Sequence, residues 1–432
     1  MAGGTDLMTH SGVILHPDPA RTVLRPFAPE DPEGYATQGH PRTERIARRL
    51  IEMDAGLRHR QFRRLHAMLG RRHRDLDIVL DARFEAIADR VPAEARDDPE
   101  LRRVVAGYLL EEYSFEAAAL FNPSIVPHPD QTGAPAGGVR FVLSLRGIGE
   151  GHLSSITFRT GQWCPRDGFT VDPPSRTAAT PRITAQETDA DGACTRIDCT
   201  GSREVSETVL FPVTDAQRQG IEDLRMCSFE EEDGSVRHLG TYTAFSGAAA
   251  RCELLEADSF RTFVMREMTG DAAAAKGLAL FPRRIGGRYA ALSRQDSENV
   301  WLVYSDSLTH WEGGERILGP KHFWEFVQMG NCGSPIAIDE GWLVLTHGVG
   351  EVRNYCIGAC LLDRDDPSKV LARLALPLVH PSPKERDGYV PNVVYSCGGM
   401  VHGRTLLLPY GVADGFTTFA HVGLDALLRA ME

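Results

Sequence analysis

The sequence lacks the cysteine patterns that mark metal-binding or disulfide-stabilised proteins. Its nine cysteines, an odd number, are scattered between Cys164 and Cys397, with no CxxC pair and no Cys and His spacing typical of zinc sites. Several of them lie in apolar, strand-like runs. The sequence therefore predicts reduced and mostly buried thiols, no bound metal and a cytoplasmic location.

Long apolar runs and the common nucleotide or hydrolase motifs are also missing. No run of about 18 apolar residues is present, and Met1–Leu15 has no basic region followed by an apolar core. We therefore expect neither a membrane span nor a signal peptide. Glycine loops for phosphate, zinc-protease, serine-hydrolase and calcium-loop motifs do not occur. The sequence gives no reason to expect an organic cofactor.

Basic residues are fewer than acidic ones. The chain has 47 Lys and Arg against 59 Asp and Glu, a formal net charge of -12. This balance argues against nucleic acid or an anionic membrane as the main partner. An anion-binding site would have to create a local positive pocket, so clusters of Arg, Lys and His become informative.

The first quarter of the chain has a helical pattern. After an irregular, Pro- and Gly-rich start to about residue 40, apolar residues recur at three- and four-residue steps. The steps predict helices over Arg42–Leu69 (broken near Gly56), Asp75–Val91 and Leu101–Leu120. We expect a largely helical N-terminal extension over residues 1–115.

After Asn122 the helical period disappears. Short β-branched and aromatic runs separated by Gly, Pro, Asp and Asn predict an all-β domain over residues 116–432. The Thr-, Asp- and Pro-rich segment from about 160 to 205 is expected to be an irregular insertion.

Five strand-like runs in this half end in polar or aromatic residues. The runs are Phe141–Arg146, Leu239–Phe245, Tyr289–Arg294, Trp342–His347 and Leu406–Tyr410. Their later intervals of about 50–60 residues match one four-stranded propeller blade. Equivalent strands of five blades would converge on one axis. The fold class predicted is mainly β, a five-bladed β-propeller preceded by an N-terminal α-helical region.

The polar residues at these strand ends suit a sugar and an anion. Each alone has a structural explanation: Glu222–Arg225 as a surface salt bridge, His347 as a core histidine, Asp414 as a turn cap. Together they favour one site, because binding residues gather where loops converge. The candidates for sugar hydroxyls are Asn122, Arg146, Asp223 and Asp414; those for phosphate are Lys276, Arg294, His347 and Tyr355.

Several short motifs, in order, resemble one family. They are Phe121–Ser124, Leu145–Arg146, Glu222–Arg225, Thr241–Thr243, Leu280–Pro282 with Arg294, Gly330–Pro335, Leu345–Gly348 with Tyr355, and Pro409–Asp414. Across about residues 120–425 the chain resembles the β-mannoside phosphorylases, glycoside hydrolase family one hundred and thirty. These are five-bladed propellers that act on β-mannosides with inversion. Leu224 departs from the pattern, which has Pro there.

The resemblance implies a role for each matching residue. Asp223 matches the general acid, with Arg225 beside it. Asn122, Arg146, Arg225, Tyr242 and Asp414 are expected to bind the mannoside. Lys276, Arg294, His347 and Tyr355 are expected to bind phosphate. The N-terminal helices resemble extensions that make oligomer contacts, so a homo-oligomer is expected.

Three functions fit the sequence. An inverting phosphorylase needs an acid and cations that hold phosphate, and would release α-mannose 1-phosphate with no cofactor beyond the co-substrate phosphate. An inverting β-mannosidase needs a second carboxylate about 6.5–9.5 Å from the acid to activate water, and Glu150 or Glu351 would be that base. The third possibility is a non-catalytic carbohydrate-binding propeller. Arg294, Lys276 and His347 favour phosphorolysis.

Overall fold

The computed structural model of the protein describes residues 7–31, 40–179, 181–382 and 388–432. The chain is mainly β and divides into two compact units. The β unit comprises Met1–Asp18, Glu116–Pro174 and Pro181–Glu432; the helical unit comprises Pro19–Phe115 and Ser175–Thr180. No helix in the described ranges has both the length and the apolarity needed to cross a membrane.

The described residues form 27 strands and five α-helices. The first strands are β1 (Thr9–Leu15), β2 (Thr22–Pro26), β3 (Leu110–Ser114), β4 (Ala119–Pro127), β5 (Val139–Ile148), β6 (Ser154–Cys164), β7 (Gly168–Val171), β8 (Arg182–Asp189) and β9 (Gly192–Asp198). The middle strands are β10 (Val209–Leu210), β11 (Gly220–Glu230), β12 (Val236–Phe245), β13 (Ala250–Asp258), β14 (Thr262–Glu267), β15 (Ala279–Leu280), β16 (Tyr289–Ser293), β17 (Val300–Ser305) and β18 (Glu315–Leu318). The last strands are β19 (Gln328–Asn331), β20 (Ile336–Ile338), β21 (Gly341–Val349), β22 (Tyr355–Leu362), β23 (Val370–Arg373), β24 (Val394–Tyr395), β25 (Met400–His402), β26 (Thr405–Val412) and β27 (Phe416–Gly423). The α-helices are α1 (Arg42–Ile51), α2 (Ala55–Leu69), α3 (Leu76–Glu85), α4 (Pro99–Tyr108) and α5 (Leu424–Arg429).

Helix boundaries in the helical unit follow local capping chemistry. The predicted break near Gly56 lies one turn earlier, where the Asp54 side chain accepts a hydrogen bond from Leu57 N and begins α2. Asp98 caps α4 in the same way, with Pro99 in the first turn. The buried apolar residues of α1, α3 and α4 form one cluster, which is the core of this unit.

Two sequence predictions for the first 120 residues are wrong in part. The helix expected over Leu101–Leu120 ends at Tyr108, and the chain continues as β3, which pairs with β2. The start of the chain, expected to be irregular, contains β1 and β2; residues 1–6 and 32–39 lie outside the described ranges. In both places pairing with a strand distant in sequence decides the structure, and a local pattern contains no information about it.

The strands of the β unit form five consecutive groups. The first group is β4–β7 with β10, the second β11–β14 with β8 and β9, the third β15–β18, the fourth β19–β23 and the fifth β24–β27 with β1. The first and second groups are joined through Gly220 opposite Ser154, which makes one sheet of eleven strands. Each of the five predicted strand runs lies in a strand, one per group.

Each apolar core lies between two neighbouring groups, and one of them joins the fifth group to the first. One cluster joins the first and second groups, and further clusters join the second to the third, the third to the fourth and the fourth to the fifth. A fifth cluster, which contains Phe141 and Phe419, joins the fifth group to the first. The packing is therefore cyclic, so the inner strand ends of all five groups lie around one region.

The prediction that residues 160–205 are irregular is wrong. This segment contains β7, β8 and β9, and β9 pairs with β14 at the outer edge of the second group. The nine cysteines are free and buried, as expected. The expected N-terminal extension over residues 1–115 also contains a strand of the β unit, because β1 pairs with β27.

Candidate active site

Asp223 lies at the centre of a polar cluster formed by the first and second groups. Asn122 Nδ2 donates a hydrogen bond to Asp223 Oδ1 at 2.8 Å, and Arg146 Nη1 lies 3.4 Å from the same oxygen. Arg146 also donates to Ser154 Oγ at 3.0 Å and stacks on the Phe121 ring. The Asp223 side chain is 18% exposed. A partly accessible carboxylate is thus fixed by an amide and a guanidinium.

Left-handed backbone conformations and β-bulges determine the directions of these side chains. Asn122, Asp223 and Asp414 have φ values of 48°, 57° and 49°, in the left-handed region that Asn and Asp tolerate best among non-glycine residues. The register of β4 shifts between Phe121 and Ser124, and that of β11 shifts between Glu222 and Arg225. Such bulges redirect side chains that a regular strand would point to alternate faces.

Glu222 is the second carboxylate of the cluster. Its Oε1 accepts a hydrogen bond from Arg146 Nη2 and its Oε2 accepts one from Lys276 Nζ, both at 2.7 Å. Its side chain is only 8% exposed. Because Arg146 contacts both Glu222 and Asp223, the bulge brings two consecutive acidic residues to one cation. The sequence motif Glu222–Arg225 contains this residue, but no separate role was predicted for it.

The carboxyl groups of the cluster differ in proton affinity. Burial acts to raise the pKa of Asp223, but Arg146, Asn122, Arg225 and Lys276 outweigh it, so the pKa falls below 3.8. Burial and then the negative charge of Asp223 raise the pKa of Asp414 to about 6. At neutral pH both are ionised, and Asp414 is the carboxylate that is protonated first as the pH falls.

Replacing Asp414 by Asn is expected to stabilise the fold in a pH-dependent manner. Because the pKa of Asp414 is near 3.8 unfolded and about 6 folded, wild-type stability falls as the pH rises through this interval. The amide has no such titration. The variant should therefore match the wild type near pH 4 and exceed it above pH 6, by about 3 kcal/mol as an upper limit.

Denaturant unfolding at about pH 4 and pH 7.5 measures this difference. The matched control is Asp365→Asn, at an exposed turn, for which no comparable gain is expected. Equal stability of Asp414→Asn and wild type at both pH values would contradict the assigned environment.

Arg294, His347 and Tyr355 form the opposite side of the cluster, from the third and fourth groups. Arg294 Nη1 donates to His347 Nε2 at 3.1 Å, and Arg294 Nε donates to the Lys276 carbonyl oxygen at 3.2 Å. Tyr355 stacks on the His347 ring at a centroid distance of 6.2 Å. Burial, then Arg294 and Arg225, lowers the pKa of His347 well below 6.5, so the ring is neutral. Within the described ranges, the hydrogen-bond partners of the Arg294 guanidinium are thus a neutral imidazole and a backbone carbonyl rather than a carboxylate.

Two glycines leave room for the Arg294 guanidinium and the His347 ring to lie close together. A Cβ atom at Gly330 would lie 2.5 Å from His347 Cε1 and 3.0 Å from Arg294 Cδ. At Gly277 it would lie 2.7 Å from Arg294 Nε. Either contact would displace the guanidinium, so both positions need a residue without a side chain.

Arg225 connects the second group to the fourth and fifth groups next to the cluster. It is buried, and its guanidinium donates to the Asn331 carbonyl oxygen at 2.9 Å and to the Tyr395 hydroxyl at 2.7 Å. Arg225 was expected to bind substrate; these contacts instead make it a positioning residue that ties the second group to the fourth and fifth. Asn331 and Tyr395 were missed as site residues. Tyr395 belongs to an apolar run and has no sequence signal, whereas Asn331 lies in the quoted Gly330–Pro335 motif.

Tyr242 is a correction to the expected substrate-binding set. It is 2% exposed in the core between the first and second groups. Its hydroxyl donates to Glu253 Oε2 at 2.7 Å and accepts from Gln217 Nε2 at 2.9 Å. Tyr242 lies between Thr241 and Thr243 on β12, and its side chain is fully engaged in the core. It therefore has a structural role.

Leu224, the departure from the family pattern, is also accounted for. Its side chain is buried in the same core. A Cβ atom at Gly240 on the paired strand would lie 2.7 Å from Leu224 Cδ1. The glycine thus provides the space for the leucine, and the acid and arginine on either side keep their contacts.

Glu150 and Glu351, the alternative bases, occupy equivalent exposed turns. Each begins a single turn of 3₁₀ helix, after β5 and β21 respectively. Within the described ranges, the hydrogen-bonding side chains at Asp223 are Asn122 and Arg146 rather than either glutamate. His, Cys, Asp and Glu residues there also form no group of three or more that suits a metal ion.

A family comparison covers the C-terminal half of the chain. Residues 197–432 match the model of glycoside hydrolase family 130, described as β-1,4-mannooligosaccharide phosphorylase. The matched segment includes every candidate site residue from Arg225 to Asp414 as well as Asp223, and it leaves out Asn122 and Arg146.

Individual relatives are similar over parts of the chain. A 1,2-β-oligomannan phosphorylase from Thermoanaerobacter sp. is 40% identical over 141 residues, 32% of this chain and 47% of that protein. A β-1,2-mannobiose phosphorylase from Listeria innocua is 31% identical over 233 residues, 52% of this chain and 63% of that protein. The chain thus spans about half to two thirds of the length of these relatives.

Solved structures share the fold. The Listeria innocua β-1,2-mannobiose phosphorylase in complex with β-1,2-mannobiose superposes with a TM-score of 0.52 at 21% identity, covering 74% of this chain and 92% of that one. A glycosyl hydrolase from Bacteroides ovatus gives a TM-score of 0.50 at 17% identity, covering 72% and 86%. A third structure, at TM-score 0.51, 16% identity and coverage of 72% and 86%, is described with family 130 hydrolases that target β-1,2-mannosidic linkages in Candida mannan.

Proposed function

Because the chain belongs to glycoside hydrolase family 130, we propose that it cleaves β-mannosides with inorganic phosphate and inverts the anomeric centre. A phosphate oxygen attacks C1 of the mannosyl unit, the bond from C1 to the glycosidic oxygen breaks, and that oxygen takes a proton. The products are α-mannose 1-phosphate and the shortened saccharide. Phosphate is the co-substrate, and no further cofactor takes part.

The cyclic packing of the β unit supports a five-bladed β-propeller. In this proposal each strand group is one blade, and the site residues lie where the blades meet. Asn122 and Arg146 come from the first blade, Asp223 from the second, Arg294 from the third, His347 from the fourth and Asp414 from the fifth. In this proposal every blade contributes at least one polar residue, and the sugar and the phosphate contact different residues of the pocket.

The arrangement of cations opposite Asp223 is the observation that carries the proposal. Arg294 is directed by His347 and a backbone carbonyl rather than by a carboxylate. A guanidinium left without an acidic partner is suited to a phosphate group, which it can bind through two hydrogen bonds. Lys276 is the second phosphate ligand in this proposal, and its tether to Glu222 positions it beside Asp223.

Asp223 acts as the general acid, directly or through a hydroxyl of the substrate. Although burial alone would raise it, the pKa of Asp223 is low because Arg146 and other cations surround the carboxylate. A phosphate dianion bound by Lys276 and Arg294 would offset that positive charge and raise the pKa of Asp223. The acid would then be protonated when the nucleophile is in place, which suits an inverting reaction that needs a single acid.

Product analysis with and without phosphate tests the proposal. The protein is incubated with β-1,2-, β-1,3- and β-1,4-mannobiose, and the products are identified by NMR. We expect turnover that rises with phosphate concentration and yields the α anomer of mannose 1-phosphate. Turnover indifferent to phosphate, with free mannose as the sole product, would refute phosphorolysis.

A hydrolase on the same fold is the second candidate, favoured by the family 130 hydrolase structure. It would need Glu150 or Glu351 to activate water. One of the two variants Glu150→Gln and Glu351→Gln should then abolish turnover, whereas a phosphorylase should retain it in both. A purely carbohydrate-binding protein would bind mannosides without turnover under either condition.

A further inference from the structure

The segment Gly388–Tyr395, here called the strap, lies against the turn that carries Asp414 and against the start of β22. Val390 N donates to the Ala413 carbonyl oxygen at 2.9 Å, and Ala413 N donates to the Val393 carbonyl oxygen at 2.8 Å. The strap's Asn392 carbonyl oxygen accepts from Tyr355 N at 2.9 Å. The strap is therefore fixed both to the residue that precedes Asp414 and to the residue that stacks on His347.

Tyr389 is the exposed aromatic residue of the strap. The residue is 76% exposed, although the next residue, Val390, is held by a backbone hydrogen bond. A Cβ atom at Gly388 would lie 2.4 Å from the Ala413 Cβ atom, so the backbone packs tightly there. The exposure of Tyr389 thus belongs to a ring on a fixed backbone rather than to a loose loop end.

A second ring from another strand group lies beside it. His152 ends the 3₁₀ turn that follows β5, the strand that carries Arg146. The ring centroids of His152 and Tyr389 are 6.1 Å apart with an interplanar angle of 34°. The strap fixes Tyr389 next to the Asp414 turn, and β5 fixes His152 beyond Arg146. Two exposed rings therefore lie together, one beyond the strand that carries Arg146 and one beside the turn that carries Asp414.

We propose that His152 and Tyr389 form a sugar-binding platform for the part of the oligosaccharide that leaves with the glycosidic oxygen. This inference rests on the proposed function, in which Asn122, Arg146 and Asp414 hold the transferred mannosyl unit. Side chains outside those residues then reach the rest of the saccharide. An exposed aromatic ring gains by burial against the C–H face of a pyranose, while the Tyr hydroxyl and the imidazole supply hydrogen bonds to its hydroxyl groups. The ligand class is a saccharide of two or more units.

Calorimetric titration in the absence of phosphate tests the platform separately from catalysis. The ligands are mannose, mannobiose and mannotriose of the linkage that the wild type binds, and the variants are Tyr389→Ala, Tyr389→Phe and His152→Ala. We expect Tyr389→Ala to weaken mannobiose and mannotriose binding about tenfold and His152→Ala about threefold, with Tyr389→Phe within about twofold of wild type. Mannose, which fills the transferred-unit site alone, should bind all variants equally.

The matched control is Tyr108→Ala, which removes a half-exposed tyrosine of the helical unit and should leave every affinity unchanged. Unchanged oligosaccharide affinity in Tyr389→Ala would overturn the platform, as would an equal loss for mannose or a wild type that binds none of the three sugars. The dependence of turnover on phosphate is measured with the wild type alone. If wild-type turnover does not depend on phosphate, the proposed function is refuted, but the affinities of the variants can still be compared.

Discussion

Replacing Asp223 by Asn is expected to lower kcat by about 10²- to 10⁴-fold, the usual contribution of a general acid. Asn tolerates the left-handed backbone at this position and keeps a polar group next to Asn122 and Arg146. The loss should therefore be in proton transfer rather than in folding. Steady-state phosphorolysis of the preferred mannobiose measures it, with calorimetry to show that mannoside binding persists.

A substrate with an activated leaving group separates this role from a structural one. A 2,4-dinitrophenyl β-mannoside needs no protonation of its leaving oxygen, so the deficit of Asp223→Asn should shrink by at least about tenfold with it. Asp233→Asn, in the exposed turn between β11 and β12, is the matched control. Wild-type turnover of mannobiose by Asp223→Asn would end the assignment of Asp223 as the acid.

Replacing Arg294 by Met is expected to raise the KM for phosphate by at least about 10²-fold, since two hydrogen bonds to a charged group contribute about 1.5–3 kcal/mol each. Arg294→Lys should recover part of this loss, because a point charge remains but the two-pronged geometry does not. The affinity for the mannoside, measured without phosphate, should stay within about twofold in both variants. Phosphate titrations of initial rate give the KM.

The control for Arg294 is Arg288→Met, which removes an exposed arginine that pairs with Asp306 outside the site. If Arg294→Met and Arg288→Met have the same KM for phosphate, Arg294 is not a phosphate ligand. Loss of mannoside affinity in Arg294→Met without a change in phosphate KM would move the residue to the sugar side of the pocket.

Sequence patterns located the strands and the residues at their ends better than they located side-chain directions. Arg146, Arg294 and His347 end strand-like runs, and the cyclic packing brings such ends together. The role of Asp223 is instead what the family resemblance implies for the Glu222–Arg225 motif. Their neighbours in the chain were harder to place. Glu222 was missed and Tyr242 was misplaced, because a β-bulge reverses the face of one residue and leaves the partner strand unchanged.

Sequence patterns also did not predict strand pairings between distant segments. The predicted irregular insertion became β8 and β9 because β9 pairs with β14, more than sixty residues later in the chain. The predicted helix beyond Tyr108 became β3 because β2 supplies its partner. Local propensity describes a segment in isolation, whereas strand formation depends on a partner that the local sequence does not specify.

The pairing of β1 with β27 has a consequence for the order of assembly. Thr418 Oγ1 donates to the Val13 carbonyl oxygen at 2.9 Å across a sequence separation of 405 residues. Closing so long a loop is slow, and during synthesis the fifth group lacks one edge until Phe416–Gly423 has emerged. A nascent chain must therefore hold its first strand unpaired for nearly the whole of translation, and the ring of packed groups can close only after the last strand is made.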